Sequence, residues 1–231
     1  MTDPEGYAIY EGPAAGDTIE IEGIQPWSHA APVLYHAVLT LRDADGVLQE
    51  VVPYDIGFRR FEMINGVMCL NGERVVFNGV NRHEWNADRG RAIGADDMHA
   101  AMAVFKKNNI NAVRTCHYPD QSLWYDLCDR NGIYMIDETN LESHGSWQKL
   151  GAVEPSWNVP GSLPEWKDCV VDRARSMFER DKNHAAVLIW SCGNESYAGE
   201  DILAMSQFFH DHDPGRLVHY EGVFHCRAFD A

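Results

Sequence analysis

Side chains that can transfer protons or bind cations follow five short apolar runs of this 231-residue chain. These polar segments are Asn81-Arg82-His83-Glu84, Cys116-His117-Tyr118-Pro119, Glu138-Thr139-Asn140-Leu141-Glu142-Ser143-His144-Gly145, Gly193-Asn194-Glu195-Ser196 and Glu221-Gly222. A single histidine such as His83 or His117 is more often a hydrogen-bonded structural residue than a catalytic one. Five such segments in succession favour one shared pocket, and Glu195, directly after an apolar run, is its best candidate for a general acid.

The apolar run before Glu195 contains Trp190. We therefore expect partly apolar walls around the glutamate, with Trp190 nearby in the sequence. Burial of that kind raises the pKa of a carboxyl group, which a general acid working near neutral pH requires.

A candidate cation site lies in the third and fourth polar segments. Glu142 and His144 are separated by one residue, so both side chains point to the same side of an extended segment. With Glu195 they offer two carboxylates and one imidazole, a set that suits Mg²⁺ better than Zn²⁺. A hydrogen-bonded carboxylate–imidazole pair without a metal explains the same spacing equally well.

A repeating unit of strand and helix, which would position these segments, is predicted from Arg74 onward. The predicted strands are Arg74–Val80, Asn111–Thr115, Ile133–Asp137, Ala186–Ser191 and Leu217–Tyr220, and the predicted helices are Met98–Phe105, Leu123–Arg130 with Gly132 as C-cap, Pro164–Asp181 and Asp201–His210. Near-continuous apolar strands of this kind indicate a parallel sheet. A doubly wound sheet and a barrel both contain one, but no Gly-rich phosphate loop follows the first strand. In a barrel the five polar segments would share the C-terminal rim, where active sites form.

The first 60 residues have a different pattern, with a period of two residues. Strands are predicted at Thr18–Glu22, at Tyr35–Leu41 and at Val47–Val52, the last two joined by a turn at Asp43-Ala44-Asp45-Gly46. Asn65-Gly66 and Asn71-Gly72 then mark two tight turns. Residues 1–60 are therefore predicted to be part of an immunoglobulin-like β-sandwich, and residues 61–231 the N-terminal part of a (β/α)₈ (TIM) barrel.

Composition narrows the class of partner. Nineteen basic against thirty-five acidic residues leave a formal charge of −16, which disfavours nucleic acid and anionic membrane surfaces. The six widely spaced cysteines indicate neither a zinc site nor a disulfide framework and fit a reducing cytosol. Neither a signal peptide nor a membrane-spanning run is visible, so a cytoplasmic location is expected.

The ordered motifs from about Pro26 to Gly222 resemble glycoside hydrolase family 2, and within it the β-galactosidases. The matching segments are Gly57-Phe58-Arg59, Leu70-Asn71-Gly72, Gly79-Val80-Asn81-Arg82-His83-Glu84, Asn111-Ala112-Val113-Arg114, His117-Tyr118-Pro119, Leu123-Trp124-Tyr125, Leu127-Cys128-Asp129-Arg130, Asp137 to Gly145, Arg180-Asp181-Lys182-Asn183-His184, Ile189-Trp190-Ser191, Gly193-Asn194-Glu195-Ser196 and Tyr220-Glu221-Gly222. So many matches in one order make the resemblance specific.

The resemblance implies a retaining hydrolase of terminal β-D-galactosides such as lactose. By this likeness Glu195 is the acid/base and Asn194 binds the sugar 2-hydroxyl. His83 and His117 stabilise the transition state through galactosyl hydroxyls, and Glu142, His144 and Glu195 bind Mg²⁺. The full-length protein is expected to be a homo-oligomer.

The sequence departs from the family in several respects. The second carboxylate of a retaining enzyme lies on the seventh barrel strand in the family, beyond Ala231, so the isolated chain is expected to be inactive. The family's Na⁺ ligands are also missing from this chain, and Cys116 and Tyr197 differ from the family pattern. Alternatives are a noncatalytic subunit completed by a partner chain, and a β-glucuronidase or β-mannosidase on the same scaffold. A metal-dependent hydrolase is disfavoured because the first strand supplies only His83.

Overall fold

A computed structural model of the chain describes residues 1–14, 18–143 and 159–223. Within those ranges the strands are β1 (Tyr35–Arg42), β2 (Leu48–Ile56), β3 (Phe61–Ile64), β4 (Val67–Leu70), β5 (Glu73–Arg74), β6 (Gly79–Arg82), β7 (Ala112–Thr115), β8 (Tyr134–Glu138), β9 (Val187–Ser191) and β10 (Leu217–His219). The helices are α1 (Ala95–Lys107), α2 (Ser122–Asn131), α3 (Pro164–Asp181) and α4 (Glu200–His212).

Strands β6 to β10 form a five-stranded parallel sheet in which each strand pairs with the next one along the chain. One of the helices α1 to α4 lies in the chain between each pair of neighbouring strands. A doubly wound sheet would reverse its strand order at a switch point. The unbroken order is therefore that of a barrel, and it places the C-terminal ends of all five strands on one rim.

The helices cover this sheet through a continuous apolar core. Every residue of β9 is buried, and the Trp190 ring stacks on Phe209 of α4 with centroids 5.4 Å apart. Gly132 ends α2 in the left-handed conformation, with φ 66°, and confirms the predicted C-cap. Among the described residues, no helix combines the length and apolar character needed to cross a bilayer.

The N-terminal region contributes two small antiparallel sheets, β1–β2 and β3–β4–β5. Asn65-Gly66 and Asn71-Gly72 have positive φ at both residues, between 50° and 86°, and confirm the two predicted tight turns. The fully buried Trp27 donates its indole N–H to the Asp129 carbonyl oxygen at 2.8 Å. Arg59 donates to the carbonyl oxygens of Ala185, at 2.5 Å, and Val187. These bonds attach the region to the end of the barrel sheet opposite the rim.

Two predicted strands are wrong. Thr18–Glu22 is not a strand, because no neighbouring strand among the described residues supplies backbone partners and alternation alone does not form a sheet. The first barrel strand is not Arg74–Val80 but β6, since Arg74 already pairs with Cys69 in the small sheet. Asn81 and Arg82, expected in the loop, are consequently the last residues of the strand.

Candidate functional site

Glu138, the last residue of β8, is the centre of a buried hydrogen-bond network on the rim. Its carboxylate accepts hydrogen bonds from Arg114 Nε at 2.5 Å, His117 Nδ1 at 2.6 Å and Ser191 Oγ at 2.7 Å. The Glu138 side chain is 0% exposed and that of Arg114 15%. A buried carboxylate is stable only when paired and hydrogen-bonded, and three donors meet that need.

This network orients His117. Because a carboxylate can only accept, the bond to Glu138 places a proton on His117 Nδ1. His117 Nε2 lies 3.9 Å from Glu142 Oε1. The imidazole is thus held in one orientation by Glu138, whose own side chain is fully buried.

Asn194 connects the network to Glu142. Its Oδ1 accepts from Arg114 Nη2 at 2.9 Å, and its Nδ2 donates to Glu142 Oε1 at 3.0 Å. The Asn194 backbone N–H donates to the Leu141 carbonyl oxygen at 2.9 Å, so the segments bearing Glu142 and Asn194 run side by side. Each amide atom keeps capacity for one further hydrogen bond.

Glu195 follows directly and is held by the segment after β10. Its backbone φ is 36°, a left-handed conformation that costs a non-glycine residue about 1 kcal/mol or more. Its backbone N–H donates to Glu221 Oε1 at 2.7 Å, and the next N–H, of Ser196, donates to the Tyr220 hydroxyl at 2.9 Å. These two bonds stabilise an otherwise unfavourable backbone and present the exposed Glu195 side chain on the rim.

His83, just after β6, lies beside His117. The two rings are 5.5 Å apart at 85°, and His83 Nδ1 is 3.4 Å from the Tyr118 hydroxyl. Desolvation, together with the charges of His117 and Arg91, lowers the pKa of His83 below its ordinary value. The ring is therefore neutral near pH 7 and offers one donor and one acceptor nitrogen.

The rim brings together the predicted residues His83, His117, Glu142, Asn194 and Glu195. The remaining one, His144, lies outside the described residues. Arg82 points away from the rim. Its guanidinium group pairs with Asp120 at 2.5 Å and lies over the Trp124 ring.

The predicted apolar wall at Glu195 is wrong. Trp190 points into the helix layer, where its indole N–H donates to Asp213 Oδ2 at 3.0 Å, while the Glu195 side chain is exposed. Successive residues of a strand face opposite sides of the sheet. Ser191 therefore faces the network and Trp190 faces the helices.

Sequence reasoning missed the supporting residues of the network. No role is assigned from the sequence to four of them, Arg114, Glu138, Ser191 and His219. His219 belongs to the network because its Nδ1 lies 3.0 Å from Ser191 Oγ. Burial and the Arg114 charge lower the pKa of His219. A charged residue inside an apolar strand, as at Arg114 and Glu138, was the available signal, because burial of a charge requires a partner.

Comparisons with known proteins agree with this architecture. The family description "Glycosyl hydrolases family 2, TIM barrel domain" matches residues 61–231, and "Glycosyl hydrolases family 2" matches residues 4–59. The β-D-glucuronidase structure from Dictyoglomus thermophilum is similar with a TM-score of 0.81, over 94% of this chain and 38% of that one. Its sequence identity is 23%, so this likeness concerns the fold alone, and it confirms the barrel.

Sequence relatives are closer. A protein named "Beta-galactosidase" from Halalkalibacterium halodurans is 63% identical over 205 residues, which are 89% of this chain and 20% of the relative. A protein named "Beta-galactosidase large subunit" from Lactobacillus acidophilus is 57% identical over 206 residues, again 89% of this chain and 33% of the relative. The chain thus spans a fifth to a third of the length of these curated relatives.

Proposed function

The chain belongs to glycosyl hydrolase family 2, and we propose that the protein carrying this sequence hydrolyses terminal β-D-galactosides with retention of configuration. The observation that carries the proposal is the position of Glu195. It follows strand β9, which lies between β8 and β10 in the sheet. It also lies next to an oriented Asn194 and shares a rim with His83, His117 and Glu142. The names printed for the Halalkalibacterium halodurans and Lactobacillus acidophilus relatives support galactose as the sugar.

Glu195 acts as the acid/base in this proposal. Its carboxyl group donates a proton to the glycosidic oxygen as that bond breaks, and the resulting carboxylate later removes a proton from the attacking water. The unused donor capacity of Asn194 Nδ2 binds the 2-hydroxyl of the sugar. His83 and His117 bind other hydroxyls, with His117 Nε2 presented by the Glu138 contact.

A retaining reaction needs a second carboxylate about 5–5.5 Å from the acid/base. Glu221 approaches Glu195, but its Oε1 accepts the Glu195 backbone N–H and thereby positions that residue. We therefore assign Glu221 a positioning role and place the nucleophile outside this chain. The 231-residue chain alone is then expected to be inactive. If this chain hydrolysed a β-galactoside and Glu195→Gln abolished that activity, the assignment would be contradicted.

Mg²⁺ is the cation that the proposed site would bind. The backbone of Glu142 pairs with that of Asn194, and Glu195 is the residue after Asn194. The carboxylates of Glu142 and Glu195 therefore belong to neighbouring positions of two adjacent segments. Carboxylate oxygens with one imidazole from His144 fit Mg²⁺. When bound, the ion would supply positive charge beside the acid/base, and Glu142, His144 and Glu195 would hold it.

More than one polypeptide is proposed to form the active protein. The name "large subunit", printed for the Lactobacillus acidophilus relative, supports an assembly of several subunits. A homo-oligomer and an assembly with a different, complementing chain are the two forms. Size-exclusion chromatography with light scattering, followed by denaturing electrophoresis, distinguishes one kind of subunit from two.

The described cysteines are all free thiols, which supports a reducing, cytosolic location.

The test compares two nitrophenyl substrates, a β-D-galactoside and a β-D-glucuronide, with the full-length protein. We expect cleavage of the galactoside and a fall in kcat of about 10²–10⁴-fold in Glu195→Gln, the usual contribution of a general acid/base. Glu200→Gln is the matched control, because this exposed glutamate lies five residues further on, in the first turn of α4. Faster cleavage of the glucuronide, or equal loss in both variants, would overturn the proposal.

A further inference from the structure

A cluster of softer ligands lies next to the proposed Mg²⁺ residues. The ligand atoms of His83, Cys116 and His117 all lie within 4.8 Å of one another. Cys116 is 1% exposed and forms the floor of the cluster, while His83 is exposed and His117 half-buried. Two imidazole nitrogens and one sulfur on the same side of the rim are an N/S donor set that oxygen-seeking Mg²⁺ does not prefer.

The contacts around the cluster match those of a metal site. Glu138 accepts a hydrogen bond from His117 Nδ1 at 2.6 Å, so Nε2 is the nitrogen of this ring that can serve as the ligand. A carboxylate behind a histidine is the usual outer contact of a metal-bound imidazole. Glu142 Oε1, 3.9 Å from His117 Nε2, adds negative charge at the rim.

We propose that His83, Cys116 and His117 form a three-ligand site for Zn²⁺ or a similar ion, which inhibits the enzyme. Tetrahedral Zn²⁺ with bonds of about 2.0–2.3 Å separates its ligands by about 3.5 Å, so the atoms must close by roughly 1 Å. The exposed His83 side chain can supply most of that movement. The fourth coordination position faces the rim and takes water or a hydroxyl group.

The coordination step releases a proton. The Cys116 side chain is 1% exposed, and a cysteine binds such an ion as the thiolate, so coordination requires loss of the thiol proton. The S–H bond breaks, its proton passes to solvent, and the sulfur lone pair forms the bond to the ion. Binding is therefore expected to release one proton per ion and to weaken as the pH falls.

Inhibition follows from the identity of the two histidines, and this part of the inference rests on the proposed function. The same imidazole nitrogens are assigned to galactosyl hydroxyls, so ion and sugar compete for them. Metal binding itself does not depend on that assignment.

The test titrates Co²⁺ into the full-length protein that carries this sequence, because Co²⁺ replaces Zn²⁺ and reports its ligands by absorption. We expect a thiolate-to-cobalt charge-transfer band and strong visible bands of tetrahedral cobalt, saturating at one ion per chain and displaced by Zn²⁺. Cys116→Ser should abolish the charge-transfer band. Cys169→Ser, at an exposed thiol on α3, is the matched control and should retain it.

His83→Gln is the second variant, and it keeps the test decisive if Cys116→Ser does not fold. It should retain the thiolate band and lower the Co²⁺ affinity by more than the ~10–100-fold typical of an outer contact. A missing band, a band that survives Cys116→Ser, or an affinity unchanged by His83→Gln would each overturn the site. If Co²⁺ binds as expected and galactose does not weaken it, the competition fails with the proposed function while the metal site stands.

Discussion

Replacing Glu138 by glutamine removes the negative charge at the centre of the rim network while preserving the shape of the side chain. Three donors converge on this carboxylate, from Arg114, His117 and Ser191. The amide of Glu138→Gln has one acceptor oxygen, so its NH₂ group must face one of these donors. Arg114 also loses the carboxylate that it contacts at 2.5 Å.

Breaking a buried ion pair by removal of one partner costs about 3–5 kcal/mol. Arg114 retains its bond to Asn194 and is 15% exposed, so water relieves part of the loss. We therefore expect about 3 kcal/mol, at the lower end of the range. For an m-value of about 2 kcal/mol/M, the urea midpoint falls by roughly 1.5 M.

Urea unfolding of the chain, followed by tryptophan fluorescence and circular dichroism, measures this shift. Glu50→Gln, at an exposed position of β2, is the matched control and should change stability by no more than about 0.5 kcal/mol. The ring of His117 supplies a second readout, since loss of its acceptor frees the Nδ1 proton and changes the tautomer seen by ¹⁵N NMR. A midpoint shift no larger than that of the control, with an unaltered tautomer, would refute the reasoning.

Three further variants probe the scaffold. Burial opposes the charge of His184, but the hydrogen bond and charge of Asp129 outweigh it and raise the pKa of the imidazole. The ion pair therefore contributes its full stabilisation below about pH 6.5, and this contribution is lost as the pH rises through the raised pKa of His184 in the folded protein. In urea titrations, the loss of stability caused by His184→Asn should accordingly shrink between pH 6 and 9. Gly193→Ala should lower the free energy of unfolding by about 1–3 kcal/mol and remove much of the kcat, because φ is 131° and the new Cβ would lie 2.6 Å from the Leu141 carbonyl oxygen. Gly94→Ala, with open space around the new Cβ, is the control in thermal melts. Burial lowers the pKa of Arg59 to about 9. Arg59→Met should lower the free energy of unfolding by about 2–3 kcal/mol, because it leaves the carbonyl oxygens of Ala185 and Val187 without this donor. Arg59→Lys should restore part of that loss in the same unfolding assay.

Local pattern in the sequence determined most of the barrel elements. The apolar spacing from Met98 to Phe105 predicted α1, and the Gly132 stop predicted the end of α2. Both depend on contacts within a few residues, which the sequence shows directly. The first strand was misplaced because Arg74 to Val80 is equally apolar whether it pairs in the small sheet or in the barrel.

The position of the candidate site residues on one rim was also predictable, because parallel strands in a barrel end on the same side. His83, His117, Glu142, Asn194 and Glu195 could be singled out for that reason. Their roles came from the family resemblance and stay predictions. His144 lies outside the described residues.

Tertiary structure alone decided how that rim is organised. A strand buried on both faces is apolar throughout, so its sequence does not show that Trp190 faces the helices and Ser191 the network. The bonds of Glu138 to Arg114 and Ser191 span 24 and 53 residues, and the Glu221 contact that holds the Glu195 backbone spans 26. Which charge meets which donor over such separations depends on strand register and on the turn of each loop, and these form only when the whole sheet packs.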